Sequence, residues 1–255
     1  MATQNETKLK ILVRNLEPGT IVLAHWLEEL GISRSLLNHY LHSGWLEAVG
    51  RGAYKRPNDN VKWIGGIYSL QNQAKLNIHI GATSALSILG LSHYFRLGKE
   101  TVYLFSPYRV KLPKWFDDYD WGTLVNHQQT SFIPEIVGLV KQDVKNISVK
   151  ISSPERAIME CLYLSPKKLD LIECYHLMEG LVNLKPKLVQ ELLDTCNSVR
   201  VKRLFLYLAE KVNHQWLNFL DNSNIDLGNG NRRISENGVY ISKYQITIPR
   251  ELAAL

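Results

Sequence analysis

The sequence has little of several things, and each shortage excludes a class of protein. Cysteine is scarce: Cys161, Cys174 and Cys196 are the only three in 255 residues. No two of them stand at metal-ligand spacing, so neither a disulfide framework nor a thiolate zinc site is expected, and the three read as reduced core thiols of a cytoplasmic protein. No apolar run approaches the length of a membrane span, and the opening MATQNETKLK lacks the apolar core of a signal peptide, so no membrane association is expected. Phosphate-cradling loops are missing too. There is no Gly-x-x-x-x-Gly-Lys-Ser/Thr and no strand followed by Gly-x-Gly-x-x-Gly. The eight histidines are scattered without a His-x-x-x-His pair, and no Gly-x-Ser-x-Gly elbow occurs. Asp117, Asp118 and Asp120 cluster, but on no clear strand, which leaves a metal-dependent nuclease unsupported. The sequence therefore predicts no catalytic residues, no metal, no cofactor and no enzymatic activity.

What is present is a globular composition with a basic balance. Apolar residues make up 45%, enough for a substantial core, and the formal net charge is +6. An isoelectric point near 9.1 favours a polyanionic partner without specifying it. The length allows a small N-terminal module and one larger domain.

The most informative stretch runs from Thr20 to Arg56. Ala24, Leu27 and Leu30 recur at helical spacing, which predicts an amphipathic helix over 22–30. Gly31 ends it, and Ser33 is placed to cap a second helix from Arg34 to about Ser43. Leu36, Leu37, Tyr40 and Leu41 form the buried stripe of that second helix. Arg34, Ser35, Asn38, His39 and His42 are left on its other side, and these are residue types that reach base edges and phosphates from a major groove. Trp45, Leu46 and Val49 open a strand, Gly50-Arg51-Gly52 turns, and Ala53-Tyr54-Lys55-Arg56 returns, giving a wing with Arg51 near its tip. The pattern is a winged helix-turn-helix. Such modules also serve as protein-docking units, and the first sixty residues carry seven bases against six acids. The charge is uneven, however. From Gly31 to Arg56 the bases Arg34, Arg51, Lys55 and Arg56 face the single acid Glu47, so the proposed contact region is net +3.

The remaining chain alternates helices and short strands. Lys8–Leu16 is a first helix behind the module, with Leu9, Leu12, Val13 and Leu16 on one face. Pro57 to Asn60 is a turn-rich linker, which divides the chain into a DNA-binding domain, 1–58, and an α/β domain, 62–255. A helix runs from Trp63 toward Leu76. Gly81, Ala82, Ser84 and Ala85 suit a helix packed close to a neighbour. Thr101–Phe105, Thr123–Asn126, Ile136–Val140 and Ile147–Ile151 are strand candidates. Lys111–Trp121 reads as an extended excursion whose Trp115, Phe116, Tyr119 and Trp121 favour core packing over base stacking, since three aspartates among them repel phosphate. Ser153 caps a helix that continues through Pro154 to Leu164; Glu155-Arg156 reads as a cap and a salt bridge. Helices over 169–181, 186–196 and 199–212 follow. On the last of these, Arg200, Lys202 and Arg203 read first as a solvated face, with a partner contact as the alternative. Gly238–Ile248 is a strand pair or one long edge strand. The fold class is α+β: an N-terminal winged helix-turn-helix, then a larger mixed α/β domain with a helical C-terminal part.

Three segments in order carry a family resemblance: the wing GRGAYKR (Gly50–Arg56), HIGATSALSILGLSHY (His79–Tyr94) and ISSPERAIMECLYL (Ile151–Leu164). Together they make the chain similar to the AbiEi antitoxins of type IV toxin–antitoxin systems, which act in abortive phage infection. The resemblance implies a repressor that binds inverted repeats of its own double-stranded promoter DNA through the winged helix. It also implies a C-terminal domain that counters a cognate nucleotidyltransferase toxin without requiring a stable complex. By that resemblance Arg51, Tyr54, Lys55 and Arg56 are DNA contacts, and the polar residues of the second helix follow by place. Four phosphate-facing bases give a salt slope of roughly −3 to −4 per module, weak alone, so cooperative binding of two modules, as a dimer or as monomers, is expected. The competing reading is a winged-helix regulator whose second domain senses a small ligand and has no antitoxin role.

Overall fold

The computed structural model describes residues 2–92 and 100–255. His93 and Tyr94, the end of the second resemblance segment, lie outside the described residues.

The chain opens with α1 (Ala2–Asn15), β1 (Val22–Leu23), α2 (Ala24–Glu29), α3 (Arg34–His42), β2 (Glu47–Gly50) and β3 (Ala53–Lys55). This is the expected winged helix. The predicted 22–30 helix starts two residues late, because Val22 and Leu23 pair with Tyr54 and Ala53 of the wing instead. Gly31 turns with φ at 79°, a conformation that glycine adopts without strain. Leu12, Leu16, Leu27, Ile32, Leu37, Tyr40 and Leu46 share a small core of their own. Val13, expected on the inner face of α1, is instead exposed.

The second part is built on a five-stranded mixed sheet of order β6-β5-β4-β8-β7. Its elements are α4 (Trp63–Asn72), β4 (His79–Ile80), α5 (Ala82–Ile88), β5 (Thr101–Ser106), α6 (Lys114–Asp118), β6 (Leu124–Gln129), β7 (Leu139–Val144), β8 (Ile147–Ser152) and α7 (Pro154–Leu164). Then come α8 (Leu171–Gly180), α9 (Pro186–Thr195), α10 (Val199–Lys211), β9 (Arg232–Arg233), β10 (Val239–Ile241), β11 (Ile246–Ile248) and α11 (Arg250–Ala254). β10 and β11 form an antiparallel pair, with β9 parallel to β11, so 238–248 is a strand pair.

Two expectations fail locally. The pairing strand before β8 is 139–144 rather than 136–140. Leu139 to Val144 match Ser152 to Ile147 residue for residue, while Ile136 projects into solvent at 85% exposure. The 111–121 excursion contains the short helix α6, and Trp115, Phe116 and Trp121 are buried against one another. They are core, which removes base stacking as their role.

α7 is the centre of the larger core, buried along nearly its whole length between α5, α8, α9 and α10. Ser153 caps it by accepting from Arg156 N–H, as its sequence predicts. Glu160, fully buried, binds the two motif segments together. It accepts from Arg156 Nε (2.8 Å), His79 Nε2 (2.8 Å), Ser152 Oγ (2.8 Å) and Ala82 N–H (3.0 Å). A Cβ on Gly81 would stand 2.2 Å from Glu160 Oε2, so the small residues of the 81–85 stretch do serve close packing. Burial alone pushes the Glu160 carboxyl up; contact with His79 and Arg156 reverses this and holds it at about 2. Burial pushes His79 below the usual imidazole range against the opposing pull of Glu160, and its Nε2–H donates to the carboxylate. Glu155 pairs not with Arg156 but with the backbone N–H of Lys185, anchoring the start of α9.

The Arg200-Lys202-Arg203 cluster is not a solvated face. Lys202 and Arg203 are buried, and the Arg203 guanidinium donates to the carbonyls of Leu227 (2.7 Å), Gly228 (2.9 Å), Gly230 (2.6 Å) and Gln245 (3.2 Å). It holds the 227–230 loop and the C-terminal sheet onto α10.

Candidate nucleic-acid interface

The side chains of α3 divide as its periodicity dictates. Leu37 and Tyr40 are buried and Leu36 and Leu41 half-buried, while Arg34, Ser35, Asn38, His39 and His42 are all exposed. Ser33 caps the helix by accepting from Leu36 N–H at 3.3 Å, and its hydroxyl lies 3.0 Å from that of Ser35. α3 thus begins with the hydroxyls of Ser33 and Ser35 at the positive end of its dipole, a terminus suited to a phosphate. Arg34 Nε donates to Glu28 Oε1 of α2 at 2.6 Å, with Arg34 almost fully exposed. A pair so open to water is weak and exchanges readily for another anion.

The wing turns at Arg51-Gly52, and Arg51 is exposed with no hydrogen bond or ion pair among the described residues. The carbonyl of Gly52 accepts from Ala24 N–H at 2.9 Å, tying the turn to the start of α2. The other wing candidates are committed within the protein. Tyr54 packs against the small core. Lys55 Nζ sits 3.2 Å from Glu47 Oε1, its partner across the ribbon, and donates to the Asp59 carbonyl at 3.0 Å. Arg56 donates to the carbonyls of Leu16 and Val13, closing the end of α1. Arg34, Ser35, Asn38, His39, His42 and Arg51 are thus exposed, while Tyr54, Lys55 and Arg56 are half-buried and engaged within the protein.

One surface residue escaped sequence reasoning. Trp45, read as the start of a strand, lies before β2 on the link from α3 to the wing and is 47% exposed. An exposed indole beside two polar elements is the signal, and only burial data separate it from Leu46, which is buried.

The wing is braced from the second part of the chain. Trp115 of α6 packs on Gly50 so closely that a Cβ there would come within 2.8 Å of Trp115 Cβ. Ile21, Leu23 and Ala53, on the back of the wing sheet, belong to the large core rather than the small one. Among the described residues no cluster of three or more His, Cys, Asp or Glu could hold a metal, and no helix is long and apolar enough to cross a membrane.

A three-stranded sheet bearing the wing, a capped α3 with a polar outer face and an α/β body behind them define a winged-helix protein. Residues 5–97 match the profile "Transcriptional regulator, AbiEi antitoxin N-terminal domain", and residues 99–249 match "Transcriptional regulator, AbiEi antitoxin, Type IV TA system". The chain belongs to the AbiEi family of transcriptional regulators and antitoxins of type IV toxin–antitoxin systems. This is not an enzyme family. The fold is also similar to that in "Crystal structure of RV2827C protein from Mycobacterium tuberculosis". That match has a TM-score of 0.59 and 14% identity, over 95% of this chain and 90% of that one. No curated protein matches.

Proposed function

We propose that the protein represses its own operon by binding inverted repeats in the promoter, and that it counteracts a cognate nucleotidyltransferase toxin. The first task falls to residues 1–58, through α3 and the wing; the second falls to the α/β part, 62–255, and does not require a stable complex with the toxin. One observation supports the DNA half above others: the polar side of α3 and Arg51 are exposed rather than packed into the protein's own interior. Arg34, Ser35, Asn38, His39 and His42 read the groove and its rims, and Arg51 holds a phosphate. Tyr54, Lys55 and Arg56 support that surface.

Lys55 is engaged with Glu47 and Asp59 and Arg34 is held only weakly by Glu28, so each module offers few cations to displace counterions. A single module then has a shallow salt dependence and low affinity, which favours cooperative occupation of two half-sites. A mobility-shift titration with the promoter of the chain's own operon tests the reading. A cooperative shift at low salt is expected, and no shift there overturns it. Co-expression with the adjacent toxin gene tests the second half: growth must be rescued by the full chain, and equally by an Arg51→Ala variant if the division of labour holds.

A further inference from the structure

A second positively charged site lies far along the sequence from the winged helix, where α7 ends and α10 begins. A groove of about 660 Å³ is lined there by Lys167, Lys168, Arg200 and Arg233, and among the described residues no carboxylate lines it. Arg200 is engaged only with carbonyls: it donates to Tyr163 O at 2.7 Å and to Ser165 O. Burial pushes its guanidinium below the ordinary value, as it does for a cation short of a counter-charge. Lys168 Nζ is held by the neutral oxygens of Asn126 (2.9 Å) and Gln128 (3.0 Å). The side chains of Lys167 and Arg233 are exposed and have no hydrogen-bond or ion-pair partner among the described residues.

Two further features point the same way. Ser198, the N-cap of the 13-residue α10, also lines the groove, so the positive end of that helix faces the cations' neighbourhood. Ser165 lines it as well; it is 1% exposed, and its hydroxyl has no hydrogen-bond partner among the described residues. Four cations gathered without an acid repel one another, and such an arrangement is stabilised by an anion that accepts several hydrogen bonds. The volume falls within the range of roughly 300–1,000 Å³ typical of small-molecule sites and far exceeds a bare phosphate.

We infer that this groove binds the phosphate groups of a nucleotide, carried either by a mononucleotide or by the end of an RNA strand, with Lys167, Lys168, Arg200 and Arg233 as the anion-holding residues. The site is independent of the promoter-binding surface. The test is calorimetric titration of the full chain with ATP, with a 5′-phosphorylated short RNA and with inorganic phosphate. It compares the wild type with a Lys167→Ala/Arg233→Ala double variant and with Arg51→Ala. The two replaced side chains are exposed, so the double variant keeps its fold, which circular dichroism checks. Arg200→Ala is avoided because it would also uncap the end of α7. Saturable binding of ATP or RNA is expected, weakened about tenfold or more in the double variant and unchanged in Arg51→Ala. The tighter of the two probes names the source of the phosphate. The inference is overturned by no saturable binding of either nucleotide probe, by equal binding in the double variant, by loss of binding in Arg51→Ala, or by inorganic phosphate binding as tightly as both.

Discussion

Gln73 binds the backbone at Leu23 as a neighbouring strand would: its Oε1 accepts from Leu23 N–H at 2.8 Å, and its Nε2 donates to the Ile21 carbonyl at 3.0 Å. Two residues earlier, Gln71 repeats the device on the other side, with Oε1 accepting from Lys150 N–H at 2.7 Å and Nε2 donating to the carbonyls of Lys150 and Ile78. The end of α4 thus pairs with β1 of the wing sheet and with β8 of the central sheet. Gln73→Leu would leave the buried Leu23 N–H without a partner, while the Ile21 carbonyl keeps the Ser69 hydroxyl. A loss of about 1–3 kcal/mol in unfolding free energy is expected, measurable by urea denaturation. A change below about 0.5 kcal/mol would show that the amide pairing contributes little.

The exposed and the committed bases of the winged helix make different predictions. Arg51→Ala is expected to weaken binding to every DNA sequence and to reduce the salt slope by about 1. Lys55→Ala is expected to do less to DNA affinity, because Nζ already serves Glu47 and Asp59. Asn38→Ala is expected to alter the preferred sequence while sparing non-specific affinity. Mobility shifts on native and scrambled promoters, each at several salt concentrations, separate the three. Identical behaviour of Arg51→Ala and Lys55→Ala would remove the distinction between free and engaged charge.

The winged helix was legible because its signals are local: apolar spacing, a capping serine, a turn glycine and a short ribbon. The outward set of α3 residues followed from the same periodicity. What failed depended on partners distant in sequence. The strand at 139–144 carries Lys141 and Asp143, and it pairs only because β8 supplies the apolar inner face. Ile136, apolar and strand-like, is left in solvent because it precedes that register. Arg203 read as a surface charge since nothing near it in sequence announces three backbone carbonyls arriving from the 227–230 loop and a fourth from Gln245, all more than twenty residues away. The engagement of Lys55 and Arg56 was hidden for the same reason.

The Glu160 network sets an acid limit on stability. Glu160 has a folded pKa of about 2, below its unfolded value, so the unfolded chain binds the proton more readily. Its contribution is present above the carboxylate range and is lost as the pH falls toward 2. His79 has the same sign: its folded pKa is lowered, so acidification below the ordinary imidazole value also favours the unfolded state. Melting temperature is therefore expected to fall in two stages, first below about pH 6.5 and then more steeply below about pH 4.5. Glu160→Gln should lower stability near neutrality by about 3 kcal/mol, since Arg156 loses its buried counter-charge, and should flatten the steeper stage. A variant with the wild-type acid profile would mean that other carboxylates control acid unfolding.

Gly50 gives the means to test whether the α/β part sets the position of the wing. A methyl group there would meet Trp115 at 2.8 Å from its Cβ and 3.2 Å from its Cα. The backbone atom cannot swing aside as a side-chain tip can, so either α6 or the ribbon must move. Overpacking of this kind costs about 1–3 kcal/mol, and the wing is the lighter of the two elements, with a bulge already present between Ala48 and Gly50. Gly50→Ala is therefore expected to lower promoter affinity by displacing Arg51, while the central sheet and the helices around α7 keep their stability. Hydrogen exchange would locate the change: faster exchange in 47–55 with unchanged protection in α7 is the expected pattern. Unaltered promoter affinity alongside faster wing exchange would show that DNA binding tolerates a displaced wing. It would also leave α3 as the element that carries recognition.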